Sequence, residues 1–311
     1  MSDTLLELQN VTVLRHTEPT GLFGLWGAKP VRALDGVSLS LRRGETLGII
    51  GGSGGGKTTL AEAATLRRSA DRGRVLVEGR DVTKLKGDDR RKLQRRLQII
   101  RQDARETLEL DRPVRKQLQD QMRQYGLPDD VSRIARTLER VALPAGFLER
   151  TPAEMSGGEQ QRLAIARALV LNPLLIAADE PVSGVDPGLK GELLKLLMQV
   201  QRELNLGYLI ISQEFRTIRR LADRVAVMHA GRLYELGPTE QVFADARHPY
   251  SRFFLGLEAN DAVPPEEDLA GRVIAGCPWA EHCPLATALC REEAPALREV
   301  APGHAAACHA L

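Results

Sequence analysis

The chain has 311 residues, of which 43% are hydrophobic and 27% are charged, and its formal net charge is +2. This length and balance exclude a disordered, collagen-like or mini-protein chain and are typical of two ordinary globular domains or one large domain with an appendage. The small net charge and the 4% aromatic content offer neither a bulk field nor a stacking surface for nucleic acid, so we predict no nucleic-acid partner.

The first part of the chain predicts strands followed by a strand–loop–helix unit. Residues 5–13 and 36–41 alternate between apolar and polar side chains, as half-buried strands do. A short apolar run at 47–50 ends in glycines and precedes 57–68, where apolar residues recur at helical spacing. The basic run at 88–96 is interpreted as a solvated helix face rather than a phosphate-binding patch.

The middle of the chain predicts helices alone. Between residues 104 and 150 no segment has a strand pattern, whereas 115–126 and 130–143 both have helical periodicity. We therefore predict a helical subdomain, at about 104–165, inserted into the rest of the fold.

The later part of the chain returns to strands. Continuous apolar runs at 174–179 and 208–212 predict strands buried in a parallel sheet, and 225–237 has the pattern of a hairpin. Strands that alternate with helices indicate an α/β fold. Beyond the hairpin the composition becomes polar and proline-containing, so we predict one domain over 1–259 and a C-terminal extension over 260–311.

A glycine-rich segment lies between the third predicted strand and the first predicted helix. It fits the P-loop pattern G-x-x-x-x-G-K-S/T, in which backbone N–H groups and a helix N-terminus surround the phosphates of ATP. Lys57 is expected to reach the β- and γ-phosphates, and the Thr58 hydroxyl is the expected ligand of Mg²⁺. The predicted nucleotide-binding residues are Gly51, Ser53, Gly54, Gly55, Gly56, Lys57, Thr58 and Thr59.

Two carboxylates end the apolar run at 174–179. Asp179 is placed to hold Mg²⁺ through water, and Glu180 to polarise the water that attacks the γ-phosphate. Taken alone, this pattern would more often be a strand that ends in acidic loop residues. Together with the P-loop, it predicts an ATP-hydrolysing site.

Residues 155–162 read Met-Ser-Gly-Gly-Glu-Gln-Gln-Arg, and this sequence resembles the signature of ABC-transporter ATPases, usually Leu-Ser-Gly-Gly-Gln. The resemblance covers roughly residues 5–257 and implies a P-loop NTPase of the ABC type: an α/β nucleotide-binding domain with an inserted helical subdomain. It implies that the signature closes over the γ-phosphate of ATP bound to a partner subunit. The residues it assigns to this role are Ser156, Gly157, Gly158, Glu159 and Gln160.

The same resemblance assigns three further residues. Gln102 matches the Q-loop glutamine, which reaches Mg²⁺ and adds to the ATP-binding set, so the residues that hold Mg²⁺ are Thr58, Gln102 and Asp179. Ser183 and Asp186 match the D-loop.

Within the ABC proteins, two segments resemble the ATPase subunits of oligopeptide, dipeptide and nickel importers. They are Val-Arg-Ala-Leu-Asp-Gly-Val at 31–37 and His-Pro-Tyr-Ser at 248–251, while 21–24 resembles the F-type subunit. The resemblance implies a peripheral protein on the cytoplasmic face of the membrane. Its implied partners are two transmembrane permease subunits, an extracytoplasmic substrate-binding protein and a paralogous ABC ATPase.

No apolar run approaches the roughly 18 residues of a membrane span, and the N-terminus has no secretory signal pattern.

One position departs from the family pattern, because Gln213 stands where the family has a switch histidine. Glutamine hydrogen-bonds a phosphate oxygen but carries no charge, so a site whose catalytic residues are Lys57, Glu180 and Gln213 is expected to hydrolyse ATP slowly. The prediction is a heterodimer in which this chain contributes the degenerate site. Three alternatives stay open: a glutamine that substitutes adequately, a non-hydrolytic regulatory subunit, and a soluble ABC ATPase outside transport. The sequence does not identify the residue that stacks on the adenine ring, and Phe23 and Trp26 are the candidates.

Four cysteines lie at 277, 283, 290 and 308, and the sequence has no others. Disulfides are disfavoured in a reducing cytosol, and the spacing lacks the C-x₂-C pair typical of zinc sites. A four-iron four-sulfur (4Fe–4S) cluster on Cys277, Cys283, Cys290 and Cys308 satisfies the count, and some members of the family carry one at this place. Zinc bound by cysteine with His282, His304 or His309, and plain buried thiols, are the alternatives.

Overall fold

The computed structural model describes residues 3–16, 30–103, 107–257 and 275–311. In these ranges the strands are β1 (Thr4–His16), β2 (Pro30–Arg42), β3 (Thr46–Ile50), β4 (Arg72–Val77), β5 (Arg80–Asp81), β6 (Leu97–Ile100), β7 (Leu175–Asp179), β8 (Gly207–Ile211), β9 (Arg224–His229), β10 (Arg232–Pro238), β11 (Arg298–Ala301) and β12 (His304–Ala306). The α-helices are α1 (Lys57–Ala64), α2 (Gly87–Arg96), α3 (Val114–Gln124), α4 (Val131–Arg140), α5 (Gly157–Leu169), α6 (Pro187–Leu204), α7 (Phe215–Leu221), α8 (Thr239–Ala244), α9 (Pro249–Phe254) and α10 (Ala288–Glu292).

The main sheet of the described residues has the strand order β11-β12-β10-β9-β3-β8-β7-β6. Neighbouring strands from β9 to β6 run parallel, and the pairs from β9 to β11 run antiparallel. All five residues of β3 and of β8 are buried, as expected for strands covered on both faces. The α/β prediction is therefore confirmed, and so is the predicted hairpin of β9 and β10.

The parallel strands bring separate sequence motifs together at one edge. The carboxyl ends of β3, β7 and β8 meet there, because parallel strands end on the same side of a sheet. The glycine-rich loop follows β3, Asp179 ends β7, and Gln213 lies two residues after the end of β8. Strand order alone thus places the three predicted parts of the site side by side.

A smaller antiparallel sheet, with the order β2-β1-β4-β5, covers α1 from one side. Leu6, Val11, Leu34 and Leu41 are 0% exposed and share a core with Leu60 of α1. Full burial of such a side chain contributes about 1.5–3 kcal/mol relative to exposure, so this core fixes the helix that begins at Lys57.

The inserted segment contains only helices and turns within its described residues, as predicted. Helices α3, α4 and α5 pack on a core that includes Leu118, Met122, Ile134, Leu138 and Leu163, each 0% exposed. Helix α5 leads from the signature back to the main sheet, so this subdomain carries the signature as its last element.

Two sequence predictions about helices have different outcomes. The basic run lies in α2, which has no buried residue, and the solvated-face interpretation is confirmed. The helix predicted over 57–68 ends earlier, at Ala64, because Leu66 adopts a left-handed backbone conformation with φ of 56° that α-helix does not allow.

The described part of the C-terminal extension, residues 275–311, joins the main sheet. Strand β12 pairs with β10 through Glu235 and Leu236, and β11 pairs with β12 at the sheet's edge. The predicted boundary near 259 falls in a range that is not described, as do Phe23, Trp26 and the segment 21–24. Within the described ranges, no helix has the length and apolar character needed to cross a bilayer.

Candidate functional site

A cavity of about 320 Å³ lies at the carboxyl ends of β3, β7 and β8. It has the size of a small-ligand pocket. The predicted residues that line it are Ser53, Gly54, Gly55, Gly56, Lys57, Thr58, Thr59, Gln102, Asp179, Glu180 and Gln213. The structure therefore brings together segments that are up to 160 positions apart in the chain.

The glycine-rich loop is shaped by close backbone contacts. At Gly56 the φ angle is +95°, and a Cβ atom there would lie 2.4 Å from the backbone oxygen of Ala33. At Gly51 a Cβ would lie 1.9 Å from the backbone oxygen of Met228, so this glycine is needed for close packing behind the loop rather than for contact with a ligand. The loop conformation thus depends on glycine at both ends.

Lys57 begins α1 and folds back over the loop. Its Nζ donates to the carbonyl oxygens of Gly51 at 2.8 Å and Gly52 at 2.7 Å, and the residue is buried. A buried ammonium group held at the rim of the cavity can exchange these carbonyl oxygens for the oxygens of a bound phosphate.

The predicted Mg²⁺ residues are adjacent. The Thr58 hydroxyl donates to Asp179 Oδ2 at 2.7 Å, and Gln102 lines the same cavity. Mg²⁺ takes one or two protein ligands and completes its octahedral shell with water and phosphate oxygens. One hydroxyl, one carboxylate and one amide beside a phosphate-binding loop fit that requirement.

Glu180 is held in one orientation by two donors. Its Oε1 accepts the backbone N–H of Gln213 at 2.7 Å, and its Oε2 accepts the Ser212 hydroxyl at 3.1 Å. Burial raises the pKa of this carboxyl, and the hydrogen bonds from Gln213 and Ser212 offset part of the rise. Its φ of +50° is uncommon for a residue with a side chain, and such strain concentrates at functional sites. A carboxylate with a raised pKa is better matched to accepting a proton near neutral pH.

The side chain of Gln213 is exposed and lines the cavity, whereas its backbone positions Glu180. The next residue, Glu214, forms an ion pair with Lys190 of α6, and hydrogen bonding to that lysine lowers the pKa of the Glu214 carboxyl. The main chain of Gln213 is thus fixed by Glu180, whereas its side chain can reach a ligand in the cavity.

The signature segment lies away from this cavity. Ser156 is the N-cap of α5 and forms a capping box with Glu159, whose Oε2 accepts from the Ser156 N–H at 2.7 Å and from its hydroxyl at 2.8 Å. None of the predicted signature residues lines the cavity around Lys57. Ser156 and Gly157 are exposed, so the N-terminal end of α5 lies at the surface of the chain.

The two glutamines that follow are buried and act within the chain. Gln160 donates to the backbone oxygens of Pro152 and Met155, at 2.8 and 3.2 Å, and thereby holds the segment before the signature. Gln161 donates at 2.8 Å to the backbone oxygen of Pro181, the residue after Glu180. Helix α5 is therefore bonded to both the signature segment and the segment that carries Glu180.

The D-loop residues lie between Glu180 and α6. The Ser183 N–H donates to the backbone oxygen of Glu180 at 3.0 Å, and Asp186 caps α6 by accepting the Gly188 N–H at 2.8 Å. Both hydrogen bonds join residues that are two or three positions apart, so this segment forms a tight turn between Glu180 and the start of α6.

Six lining residues of the cavity are absent from the predicted set: Arg15, Val31, Arg32, Ala33, Ile211 and Ala230. Arg15, Val31 and Arg32 come from β1 and β2 and complete the outer part of the cavity. Arg15 is paired with Glu62 at 3.3 Å and is 44% exposed, and a guanidinium plane of this kind can stack on a base. No local motif marks Arg15 as a ligand-binding residue, because the pairing of β1 with β2 alone brings it to the loop.

The four cysteines are free thiols that lie close enough for their charges to interact. Burial raises the pKa of the Cys277 and Cys283 thiols, and the neighbouring cysteines add to the rise. The described residues, which include all four, contain no group of three or more His, Cys, Asp or Glu side chains arranged to hold a metal ion. The 4Fe–4S cluster and the zinc alternative thus have no support from this arrangement and stay predictions.

Comparison with known sequences gives relatives of nearly the same length. The family model described as ABC transporter matches residues 34–183. The oligopeptide transport ATP-binding protein AppF of Bacillus subtilis is 34% identical over 322 residues, which cover 99% of this chain and 97% of the relative. The di/tripeptide transport ATP-binding protein DppF of Pseudomonas aeruginosa is 33% identical over 320 residues, which cover 99% and 98%.

Comparison with solved structures gives the same architecture. The cbiO1 protein of Clostridium perfringens, part of the ABC transporter complex cbiONQ, has a TM-score of 0.67 and 27% identity, with 78% of this chain and 92% of that chain covered. The ATP-binding cassette MJ0796, in a dimeric post-hydrolysis state with ADP and Pi, has a TM-score of 0.64 and 24% identity, with 76% and 99% covered. The second likeness concerns the fold.

Proposed function

The chain is a member of the ABC transporter family of ATPases, and from this premise we propose that it powers the import of peptides through a membrane complex. The relatives named above carry oligopeptide and di/tripeptide transport in their descriptions and match over almost their whole length. In this proposal, ATP binding and hydrolysis close and reopen a pair of ATPase subunits, and the chain itself does not contact the peptide.

One observation carries the proposal of a pair. The cavity around Lys57 lacks a contribution from Ser156–Gln160, although the same chain presents the signature at its surface. Each ATP would then be enclosed by the glycine-rich loop of one subunit and the signature of the other. An anion at the exposed N-terminal end of α5 would be favoured by the helix dipole.

We further propose that the partner is a paralogous ATPase and that this chain contributes the slower site. Gln213 can donate to a γ-phosphate oxygen, but it cannot offer the positive charge of a protonated histidine as charge develops. Glu180, Lys57 and Thr58 retain their expected roles: positioning the water, neutralising the phosphates and binding Mg²⁺. The attack on the γ-phosphate is in line, so positioning supplies most of the catalysis at either site.

The membrane partners are expected at the groove between the helical subdomain and the main sheet. Arg67, Arg101 and Arg167 line a cavity of about 230 Å³ beside Gln102, with Tyr125 at its wall. Burial lowers the pKa of the Arg167 guanidinium, yet an arginine stays protonated, so the groove would favour an acidic segment of a permease loop. In the whole complex two permease subunits and an extracytoplasmic binding protein complete the importer, with this chain on the cytoplasmic face.

The test uses the complete complex with its peptide substrate in proteoliposomes. Glu180→Gln is introduced in this chain, and the equivalent substitution is made separately in the partner ATPase. We expect peptide uptake with ATP, and we expect turnover to survive the change in this chain better than the change in the partner. Equal loss from both substitutions would refute the asymmetric pair, and ATP hydrolysis without association with permease subunits would refute the transport role.

A second candidate is a regulatory subunit that binds ATP without hydrolysing it, and Gln213 is the observation that favours it. Single-turnover hydrolysis separates the two functions, with the partner's base removed so that only this chain's site can react. Release of one phosphate per complex supports a slow enzyme, whereas ATP retained intact supports the regulatory subunit. Iron and sulfide analysis of the anaerobically purified chain tests the 4Fe–4S prediction. Four iron and four sulfide ions per chain would support the cluster, and the absence of both would refute it.

A further inference from the structure

The tyrosine of the His-Pro-Tyr segment contacts the P-loop directly. Tyr250 lies in α9 and is 3% exposed, and its hydroxyl accepts the backbone N–H of Gly52 at 2.9 Å. Gly52 does not line the nucleotide cavity, so this bond is made behind the loop, on the side away from the phosphates. It joins positions that are 198 residues apart in the chain.

The opposite side of the same glycine is held by Lys57. The Gly52 carbonyl accepts from Lys57 Nζ at 2.7 Å and from the Gly55 N–H at 3.3 Å. When Lys57 turns to bind phosphate oxygens, its bond to this carbonyl is lost. The bond to Tyr250 lies outside the cavity and can persist, so it restrains the loop in the state that binds ATP.

The position of Tyr250 is set by the residues just before α9. The Nδ1 of His248 caps the helix by accepting the Tyr250 N–H at 3.0 Å, and Pro249 occupies the first helical position. Glu235 is 0% exposed, and its carboxylate accepts the N–H groups of Arg247 at 2.7 Å and His248 at 3.0 Å. The start of this helix is therefore fixed by buried hydrogen bonds, which are costly to leave unmade.

The C-terminal segment holds the same tyrosine from the other side. Trp279 is 6% exposed, and its ring meets that of Tyr250 edge to face, with centroids 5.1 Å apart. Trp279 also packs on His229 and Phe253, at 5.9 and 5.2 Å. A second attachment joins His304 Nε2 to Glu235 Oε1 at 2.6 Å. The segment thus contacts both Tyr250 itself and the carboxylate that fixes the start of its helix.

We propose that Tyr250 is a positioning residue of the ATP site, which fixes the P-loop through the Gly52 amide and is itself held in place by Trp279. The C-terminal segment thereby acts on the ATP site, although it contributes no residue to the described lining of the cavity. This role depends on ATP binding alone and is independent of which solute the complex transports.

The first test compares two tyrosines of one aromatic cluster by the same chemical change. Tyr250→Phe removes the hydroxyl that meets Gly52, whereas Tyr234→Phe removes a buried hydroxyl that faces the Cys277 thiol. The dissociation constants of ATP and ADP are measured calorimetrically on the full-length chain without Mg²⁺, so that no turnover occurs. We expect a rise of about three- to tenfold for Tyr250→Phe, because a loop that has lost this restraint must be ordered when the nucleotide binds, and a change of less than about twofold for Tyr234→Phe. Equal constants for the two variants would overturn the proposal.

The second test separates positioning from loss of packing. Amide hydrogen exchange is followed at Gly52 and, as an internal reference, at the buried strand β7. Tyr250→Phe is expected to speed exchange at Gly52 and to leave β7 protected. Unchanged exchange at Gly52 would show that the hydroxyl does not hold this amide. Equal loss of protection at Gly52 and in β7 would show that Tyr250 supports the packing of the fold and not the loop in particular.

The third test concerns Trp279 and uses a double-mutant cycle. Trp279→Ala is expected to weaken ATP binding when Tyr250 is present and to add little in the Tyr250→Phe background, whereas Trp279→Phe keeps the ring contact and restores binding. If Trp279→Ala weakens binding equally in both backgrounds, the C-terminal segment does not act through Tyr250.

Discussion

Replacing Glu180 by glutamine removes the candidate base and preserves its hydrogen bonds. In the wild-type chain the Gln213 N–H is 2.7 Å from Glu180 Oε1, and the Ser212 hydroxyl is 3.1 Å from Oε2. The amide oxygen of the new side chain can accept the same N–H, and its amide nitrogen can donate to the Ser212 hydroxyl. The variant can therefore keep the strained backbone at this position. It lacks a group that takes a proton from water at neutral pH.

The expected magnitudes differ for catalysis and for folding. General-base catalysis contributes about 10²- to 10⁴-fold, so hydrolysis at this site should fall by that factor, equivalent to about 3–5 kcal/mol of activation free energy. The free energy of unfolding should change by less than about 1 kcal/mol, because both hydrogen bonds remain and the burial penalty on the charged carboxylate is removed. The dissociation constant of ATP should stay within about twofold, since Lys57 and Thr58 are untouched.

The pH dependence provides an independent check. Burial raises the pKa of Glu180, so the wild-type carboxylate takes up a proton as the pH falls through a range above that of an ordinary glutamate. Hydrolysis should decline on the acid side over that range. Stability has the opposite sign, because a folded-state pKa above the unfolded value means that the penalty is present at neutral pH and disappears as the pH falls.

Single-turnover hydrolysis of ATP in the assembled complex measures the effect at this site, with the partner's base removed. Thermal unfolding and ATP titration of the same preparation serve as controls. Residual hydrolysis above about one tenth of the wild-type rate would refute Glu180 as the base, and so would an acid limb that persists unchanged in the variant. Loss of ATP binding together with hydrolysis would instead show that the carboxylate acts on the fold of the site.

Three further substitutions test other steps. Gly56→Ala places a Cβ 2.4 Å from a backbone oxygen of β2, so calorimetric titration should detect no ATP binding, whereas Gly79→Ala carries similar left-handed strain in open space and should bind normally. His304→Ala leaves the fully buried Glu235 without its side-chain partner, which costs about 3–5 kcal/mol, and scanning calorimetry should show a thermal midpoint lower by several degrees. Gln213→His should raise the single-turnover rate at this site by about threefold or more, because an imidazolium can meet the developing charge. Normal binding by the Gly56 variant, an unchanged midpoint, or no gain in rate would each contradict the corresponding step.

The sequence predicted the centre of the site because its residues lie in short motifs with fixed geometry. The loop from Gly51 to Thr58 follows a buried strand, the pair Asp179–Glu180 lies at the end of another, and parallel strands bring these ends together. The signature could be located for the same reason, as the start of a helix. Its separation from the cavity requires the three-dimensional packing of the subdomain.

The parts that escaped prediction depend on long-range pairing. Arg15 and Arg32 reach the cavity because β1 and β2 form an antiparallel pair beside α1, and nothing in their local sequence indicates a ligand. The sequence separates the C-terminal extension by a change in composition, whereas the short strands β11 and β12 attach it to the main sheet. Strands of three or four residues carry too little periodicity to be recognised.

Helix α5 connects the two halves of the ATPase pair through one buried amide. Its N-terminus carries Ser156, which in the proposed pair faces the nucleotide of the other subunit, and Gln161 bonds the backbone next to this chain's own Glu180. Ser156 and Gln161 both lie in the first two turns of this helix, so a displacement of that end also moves the backbone beside Glu180. Nucleotide occupancy on one side of the dimer would thus change the alignment of the base on the other, and such coupling is reciprocal by thermodynamic necessity. Cooperative hydrolysis, with a Hill coefficient above one that falls when Gln161 is replaced by alanine, is the expected consequence.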